Sequence, residues 1–439
     1  MSKNKKVLII TYYWPPSGGA GVQRWLKFVK YLPKYGWEPI IYTPENGEIP
    51  VVDESLAKDI PEGTKVLKTN IWEPYSVYKK FVGQKKDEKI NTGFLTEFKK
   101  TKKTKKTKKP KKAEKAAVWI RGNFFIPDAR KFWIKPSVKY LTKYFKENPV
   151  DAIISTGPPH SMHLIALKLK QKIGVKWFAD FRDPWTNIDY YKDLMLTSLA
   201  DKKHIRLEKQ VLETADSVIS IGKTMADEFY DLGAKKVEVI TNGYDITENV
   251  EVELDKKFSI AHIGTLVKSR NPFELWNVLA DLVEENKTFS ESLDIKLVGK
   301  VDINVMNSIK ENGLDKYLTK IDYLPHNEVI LEQRKTQLLL LLVNRTPNAK
   351  GILTGKFFEY LSAKRPICVI GPKDGEIAKI VNETKAGFVT DYNNESALKN
   401  EILKSFEAFL KGNLNIQSSG IEKYSRENLT KELVNLMEG

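Results

Sequence analysis

Residues 350–371 combine the residue types that hold phosphate, spaced as they would be at the start of one helix. Gly355 and Lys356 open a short predicted helix, and the apolar run 366–370 predicts the buried strand that follows it. Unpaired backbone N–H groups, the helix dipole and a lysine ammonium converge at such a helix start, which favours an anion. Glu359, one turn later, suits hydroxyl donors instead. A cation for a diphosphate beside a carboxylate for hydroxyls indicates a nucleotide-sugar pocket.

A second strand-to-helix loop repeats this layout at residues 264–272. Gly264 ends an apolar predicted strand, and two cations, Lys268 and Arg270, follow before the next helix. A guanidinium grips phosphate oxygens in fork geometry, so Arg270 and Lys356 together would neutralise a diphosphate without a metal. The alternative for Arg270 is a solvated loop cation that binds no ligand.

The residues that bind metals do not form a recognisable set in this sequence. The five histidines lack metal-ligand spacing with cysteine or acidic partners, and they stand at positions 160, 163, 204, 262 and 326. The chain also has no Asp-x-Asp sequence. We therefore expect neither a metal nor another cofactor.

Two loops of the N-terminal half follow predicted strands. The first, residues 15–21, contains Gly18 and Gly19, and it predicts either a loop that borders a ligand or a tight turn without one. It is a weak match to a dinucleotide fingerprint because the third glycine is replaced by Arg24. The second loop contains His160, which is either a site residue at the edge of a cleft or a histidine that caps the helix or has another structural role.

A third loop of this half carries charges directly after a predicted strand. Asp180, Arg182 and Asp183 alternate in sign there. This pattern fits two interpretations equally well, namely contacts to the hydroxyls of an acceptor or a structural ion pair.

The length of 439 residues and the hydrophobic content of 41 % predict a globular protein of two domains. Short apolar strands alternate with helices, which predicts an α/β fold with two doubly wound, Rossmann-like parallel-sheet domains and a cleft between them. We place the first domain at residues 1–241, a linker at 242–257, the second domain at 258–415 and a helix that packs back across the linker at 416–439. No transmembrane helix is expected. The single cysteine, Cys368, favours a reducing cytoplasm.

The net charge of +16 is concentrated in one insert. The run from Lys99 to Lys115 holds eleven lysines and one glutamate, so it supplies +10 and leaves +6 for the other residues. Self-repulsion predicts disorder over 99–116. The run is either a solvated tether or an attachment to the anionic inner face of a membrane, and the aromatic residues after it fit both a bilayer interface and a protein core. A nucleic-acid-binding role is the rival from another class, although arginine and a reading motif are missing.

Taken in order, these motifs resemble the retaining glycosyltransferases of family GT4, which have the GT-B fold. The resemblance covers nearly the whole chain and is carried by residues 12–19, 242–245, 355–361 and 365–367. It implies that Glu359 binds the nucleotide ribose and that His160 lies near the reacting sugar. The diphosphate and sugar of the donor would be held by the remaining candidates, namely Arg270, Lys356, Gly18, Gly19, Gly264, Lys268, Thr354 and Gly355.

The sequence departs from the family pattern at two positions. Gly351 stands where the first glutamate of the Glu-x7-Glu motif is expected, and Leu275 stands where the second residue of an Arg-x4-Lys pair is expected. Lys268 or Lys356 would then supply the second charge. The resemblance implies sugar transfer with retention from a nucleoside diphosphate to a glycan or lipid-linked acceptor, in surface polysaccharide or lipopolysaccharide synthesis. A GT-B-like sugar-nucleotide epimerase or hydrolase is the closer rival.

Overall fold

The computed structural model describes residues 4–49, 51–73, 112–245, 252–416 and 418–439. The chain divides into two compact units. Unit 1 comprises Met1–Thr241 together with Thr430–Gly439, and unit 2 comprises Asn242–Leu429. Within the described residues, no helix is both long and apolar enough to cross a bilayer.

Unit 1 is built on a seven-stranded sheet in which all neighbouring strands are parallel, in the order β3-β2-β1-β4-β5-β6-β7. Its strands are β1 (Lys5–Ile10), β2 (Trp37–Pro44), β3 (Lys65–Thr69), β4 (Ala152–Gly157), β5 (Lys176–Phe181), β6 (Ser217–Ser220) and β7 (Val237–Val239). Its helices are α1 (Ala20–Tyr31), α2 (Lys112–Phe124), α3 (Lys131–Glu147), α4 (Ser161–Ile173), α5 (Ser198–Thr214) and α6 (Lys223–Asp231).

Unit 2 is built on a six-stranded parallel sheet in the order β10-β9-β8-β11-β12-β13. Its strands are β8 (Phe258–Ile263), β9 (Leu293–Val298), β10 (Leu318–Ile321), β11 (Leu338–Leu342), β12 (Ile367–Ile370) and β13 (Gly387–Thr390). Its helices are α7 (Phe273–Glu285), α8 (Lys287–Ser292), α9 (Ile303–Glu311), α10 (His326–Lys335), α11 (Gly355–Ser362), α12 (Glu376–Thr384) and α13 (Glu395–Leu410). The last helix, α14 (Arg426–Glu438), begins in unit 2 and ends in unit 1.

Helices cover both faces of each sheet, which explains why the central strands are mostly apolar. In β11 the alternate residues Leu338, Leu340 and Leu342 pack into one hydrophobic cluster. Leu339 and Leu341 pack into a second cluster on the opposite face. The predicted α/β class with two doubly wound parallel sheets is confirmed.

Two details differ from the expectations from sequence. Strand β3 was not predicted, because only Leu67 of its five residues is buried and the apolar pattern is correspondingly weak. Helix α2 begins at Lys112, so the last residues of the insert predicted to be disordered over 99–116 are helical. Alanine and lysine are good helix formers once the Thr-Lys-Lys repeat has ended. Residues 99–111 lie outside the described residues.

The order of the strands places a switch point in each sheet. In unit 1 the strands β2 and β3 are added on one side of β1, and the strands from β4 onward are added on its other side, so the switch point lies between β1 and β4. In unit 2 it lies between β8 and β11 for the same reason. In open parallel sheets, ligands bind outside the carboxyl ends of the strands at such a point. The loops after β1, β4 and β8 and the loop that leads to α11 are therefore the parts of each unit to search for a site.

Candidate functional site

In unit 2, the ammonium group of Lys356 lies against the end of strand β8. Gly264 follows that strand with φ of +119°, and a Cβ atom added there would lie 2.6 Å from Lys356 Nζ. Any larger residue at position 264 would displace the ammonium and would also be strained at this φ. The glycine is thus required for the lysine to occupy this place.

Helix α11 is fixed so that Lys356 and Glu359 face outward. Phe357, Phe358 and Leu361 are buried against the sheet. The hydroxyl of Tyr360 accepts a hydrogen bond of 3.0 Å from the backbone N–H of Ile263 in β8. Positions 356 and 359 share the remaining face because residues three apart are neighbours on a helix. The carboxylate of Glu359 has no hydrogen-bond partner among the described residues, so it is available for hydroxyl donors.

His262, inside β8, is the neighbour of Lys356 that the sequence analysis did not assign. Its Nδ1 atom lies 3.1 Å from the carbonyl oxygen of Leu340, and its Nε2 atom lies 3.3 Å from Lys356 Nζ. A carbonyl oxygen only accepts, so Nδ1 carries the proton and Nε2 accepts from the ammonium. The available signal was a histidine two residues before Gly264 in an otherwise mostly apolar strand.

Arg270 brings a second positive charge to the same place. It ends the short turn Lys268–Arg270, and its Nη2 atom donates to the carbonyl oxygen of Thr265 over 3.1 Å. Burial, followed by the charge of Arg270, lowers the pKa of Lys356 to about 8, although the carboxylate of Glu359 acts in the opposite direction. Neither cation has a carboxylate at ion-pair distance within the described ranges of the chain. Two neighbouring, uncompensated cations favour the binding of an anion.

The start of α11 adds donors beside these cations. The buried Oγ1 atom of Thr354, the N-cap residue, has no hydrogen-bond partner, and the helix has no side-chain cap. The space where a Cβ of Gly355 would stand is open. Lys268 is exposed at the beginning of the Arg270 turn. Free N–H groups, an unused hydroxyl and positive charge thus lie around one helix terminus.

The two departures from the family pattern have simple consequences in unit 2. Leu275 is fully buried in the core, so position 275 holds an apolar side chain and no charge. Of the two lysines considered for the second charge, Lys356 has its pKa lowered by the charge of Arg270, whereas Lys268 is exposed. Gly351 lies in the turn Ala349–Gly351 and supplies no carboxylate.

In unit 1, Asp180 forms a buried ion pair with Arg24. Arg24 Nη2 donates to Asp180 Oδ1 over 2.9 Å, and the carboxylate also accepts from Trp25 and Thr156, each over 2.7 Å. Asp180 is not exposed at all. Of the two interpretations of this residue, the structure therefore favours the structural ion pair, because no oxygen of the carboxylate is left for an acceptor.

His160 stands at the start of α4 but does not cap it. Its ring stacks on Trp185 with centroids 4.6 Å apart, and its Nδ1 atom has no hydrogen-bond partner. The helix is capped by Asp128, whose carboxylate accepts from the N–H and the hydroxyl of Ser161. Burial lowers the pKa of His160 well below its ordinary value, so the ring is neutral. This placement removes the helix-capping interpretation and leaves an unused ring nitrogen.

The remaining candidates of unit 1 differ in their exposure and in whether their polar groups already form hydrogen bonds. The guanidinium of Arg182 donates to the carbonyl oxygens of Gly157 and Pro158. Asp183 is exposed and has no ion-pair partner in the described part of the chain. The N–H of Gly18 is bound to the carbonyl oxygen of Val51 over 2.8 Å, whereas Gly19 begins α1 at φ of +96° with open space beside it. Asp183 and Gly19 are thus the more accessible of these residues.

The described residues contain no group of three histidine, cysteine, aspartate or glutamate side chains that could hold a metal ion.

The Asp180–Arg24 pair generates a prediction for stability. Asp180→Asn should lower the free energy of unfolding by about 3–5 kcal/mol, because it leaves Arg24 buried without its counter-charge. Burial alone would raise the pKa of Asp180, but the charge and hydrogen bonds of Arg24 and the bonds from Trp25 and Thr156 hold it below its ordinary value. The stabilisation should therefore be lost only as the pH falls through that lowered pKa.

Urea denaturation followed by tryptophan fluorescence measures this change. Asp183→Asn, three residues later and exposed, is the matched control and should change the free energy of unfolding by less than about 0.5 kcal/mol. Equal effects of the two substitutions would contradict the structural role of Asp180.

The comparisons with known proteins agree with this architecture. Residues 104–248 match the model of Glycosyltransferase Family 4. No curated protein matches the chain. Among solved structures, the sucrose-phosphate synthase of Thermosynechococcus elongatus is 12 % identical with a TM-score of 0.58, and the two chains are covered to 99 % and 98 %. Alr3699/HepE of Anabaena, solved with UDP and glucose, is 13 % identical with a TM-score of 0.58, and each chain is covered to 99 %.

A putative UDP-N-acetylglucosamine 2-epimerase of Listeria monocytogenes is also similar, with 10 % identity, a TM-score of 0.55 and coverage of 99 % of this chain and 95 % of that one. At these identities, likeness to solved structures shows the fold alone. The chain has the GT-B fold, and its residues 104–248 match the model of glycosyltransferase family 4.

Proposed function

We propose that the protein transfers a glycosyl group from a nucleoside diphosphate to a hydroxyl of a glycan or lipid-linked acceptor, with retention of configuration. The observation that carries this proposal is the pair of uncompensated cations, Lys356 and Arg270, beside Gly264 and the open start of α11. The barrier to transfer is charge separation as the anomeric C–O bond breaks. Fixed positive charge at the departing diphosphate lowers that barrier.

Each residue of the unit 2 cluster has a role in this proposal. Lys356 and Arg270 bind the diphosphate, with Lys268 at the rim. The N–H of Gly355 and the hydroxyl of Thr354 donate to phosphate oxygens. Glu359 accepts hydrogen bonds from the ribose hydroxyls, and Gly264 leaves the room that the ammonium needs.

The unit 1 residues act on the sugar and on the acceptor. His160 has an unused ring nitrogen and a neutral ring, which fits a hydrogen bond to a sugar hydroxyl. Gly18 and Gly19 border the donor or the acceptor. Asp183, with Arg182 beside it, is the charged group that remains available for acceptor hydroxyls. The diphosphate itself takes the acceptor's proton, so the reaction needs no separate base.

An epimerase or a hydrolase of the same fold is the second candidate, because the GT-B architecture is shared with the putative epimerase described above. Product analysis with a nucleotide sugar, with and without a lipid-linked oligosaccharide acceptor, distinguishes these activities. A transferase should form a glycosylated product only when the acceptor is present. An altered nucleotide sugar formed without any acceptor would favour the epimerase.

The cation pair generates the central prediction on binding and turnover. A ligand that binds only the folded protein raises Tm. The nucleoside diphosphate among UDP, GDP, ADP and dTDP that fits the site should therefore raise Tm, and its nucleoside should raise Tm less. Arg270→Ala and Lys356→Ala should each remove most of this shift. Each should also cost about 2–4 kcal/mol of transition-state stabilisation, measured as release of the nucleoside diphosphate from its sugar.

Lys287→Ala is the control for this experiment. Lys287 is an exposed lysine of the same unit. It precedes β9 and so lies toward the amino-terminal ends of the strands, whereas Gly264 lies at a carboxyl end. Its substitution should leave both measurements unchanged. Wild-type turnover in both Arg270→Ala and Lys356→Ala would contradict the assignment of the diphosphate site.

We propose in addition that the protein works on an anionic membrane surface, in surface polysaccharide or lipopolysaccharide synthesis. The run from Lys99 to Lys115 lies largely outside the described residues. Support comes from a groove between α3 and α4 that is lined almost entirely by lysines, namely Lys135, Lys139, Lys143, Lys146, Lys168 and Lys172. Exposed Phe132 and Trp72 contact each other beside the start of α3. Lysines next to exposed aromatic rings are typical of a bilayer interface.

This surface predicts sedimentation with vesicles that contain phosphatidylglycerol at low salt, and release at high salt. Each lysine near an anionic surface contributes about 1 kcal/mol, so replacing Lys135, Lys139, Lys143 and Lys146 by alanine should release most of the protein. A control variant loses the same charge from exposed positions of unit 2, namely Lys287, Lys310, Lys316 and Lys404. Equal losses in the two variants, or no binding of the wild type, would contradict the proposal.

A further inference from the structure

We infer that His262 is a positioning residue for the donor site: its neutral imidazole holds the Lys356 ammonium in place without cancelling the charge that the diphosphate requires. This inference rests on the function proposed above. His262 does not touch the donor in this account, and it acts only through Lys356.

The position of the imidazole is determined by two strands of the sheet. His262 lies in β8 and is almost completely buried, with 1 % of its surface exposed. The carbonyl oxygen of Leu340, in the neighbouring strand β11, accepts from its Nδ1 atom over 3.1 Å. This bond orients the ring and directs the lone pair of Nε2 toward Lys356 Nζ, 3.3 Å away. The ammonium is therefore bound by an acceptor that the sheet itself holds rigidly.

The charge of the acceptor is what distinguishes Lys356 from the other deeply placed lysine of unit 2. Lys296 is held by two carboxylates, those of Asp255 at 2.7 Å and Glu332 at 2.8 Å, which neutralise it. Lys356 has the neutral imidazole instead and no carboxylate at ion-pair distance among the described residues. A carboxylate in the place of His262 would hold the amine equally well but would compete with a diphosphate.

The protonation state of His262 is consistent with this role. Burial, followed by the charge of Lys356, lowers the pKa of His262 well below its ordinary value. The imidazole is thus neutral near pH 7, and its Nε2 atom keeps the lone pair that accepts from the ammonium. A protonated imidazole would repel Lys356 instead.

The test compares His262→Phe, which removes the acceptor, with His262→Gln, whose side-chain oxygen can replace it. The probe is the nucleoside diphosphate among UDP, GDP, ADP and dTDP that raises Tm most, titrated by calorimetry beside its nucleoside. His262→Phe should weaken diphosphate binding by about 10- to 100-fold, as expected for the loss of one hydrogen bond to a charged group. Binding of the nucleoside should not change, and His262→Gln should restore most of the affinity.

The pH dependence of diphosphate affinity would not change if His262 had a purely structural role. The groups that face Lys356 are His262, Arg270 and Glu359. In the wild type, diphosphate affinity should fall as the pH rises through about 8, where Lys356 loses its proton. In His262→Phe the fall should begin at lower pH, because the ammonium has lost an acceptor. The same midpoint in both proteins would overturn the inference.

A double substitution tests whether His262 acts through Lys356. In a Lys356→Met background, His262→Phe should have no further effect on diphosphate affinity, since the group that it positions is absent. Additive losses would contradict the inference but leave the proposed function intact. If none of the four nucleoside diphosphates binds the wild type, the proposed function itself fails. Tm without ligand confirms that each variant is folded, and His262→Gln keeps the test valid if His262→Phe does not fold.

Discussion

The candidate site depends on one constraint, which is that a positive charge must be kept in a half-buried place without a carboxylate at ion-pair distance. Burial and a neighbouring guanidinium both act against the charged form of Lys356. The protein meets this constraint with a neutral acceptor on β8, a glycine that admits the ammonium and a helix terminus that remains uncapped. The unfavourable charge is then relieved only when an anion binds. The folded protein therefore presents a preorganised positive site for the donor.

The two parallel sheets provide the rigid support for this arrangement. In unit 2, the switch point between β8 and β11 places Gly264 beside the helix that carries Lys356. In unit 1, the corresponding switch point lies between β1 and β4, whose loops carry Gly19 and His160. The buried Asp180–Arg24 pair ties α1 to β5 behind those loops. The loops that carry these candidates therefore connect strands and helices that are packed in the core.

The sequence was sufficient to predict the fold and to nominate Arg270, Lys356 and Glu359 as candidate donor residues, but not the contacts among the residues of this cluster. The six strands predicted for unit 2 are the six strands of its sheet, and the inner ones were recognisable because strands covered on both faces are mostly apolar. Strand β3 was not predicted because it lies at a sheet edge and only one of its side chains is buried. The approach of Lys356 to Gly264 spans ninety-two positions of sequence, and only the strand order reveals it. The same holds for His262, whose role requires the carbonyl of Leu340 on another strand, and for the choice between the two interpretations of Asp180.

The most direct test of the account is a crystal structure of the protein with a bound nucleoside diphosphate. We expect phosphate oxygens within hydrogen-bond distance of Lys356 Nζ and the Arg270 guanidinium, at the start of α11, with the ribose hydroxyls at Glu359. A nucleotide bound elsewhere, with both cations directed to solvent, would contradict the account.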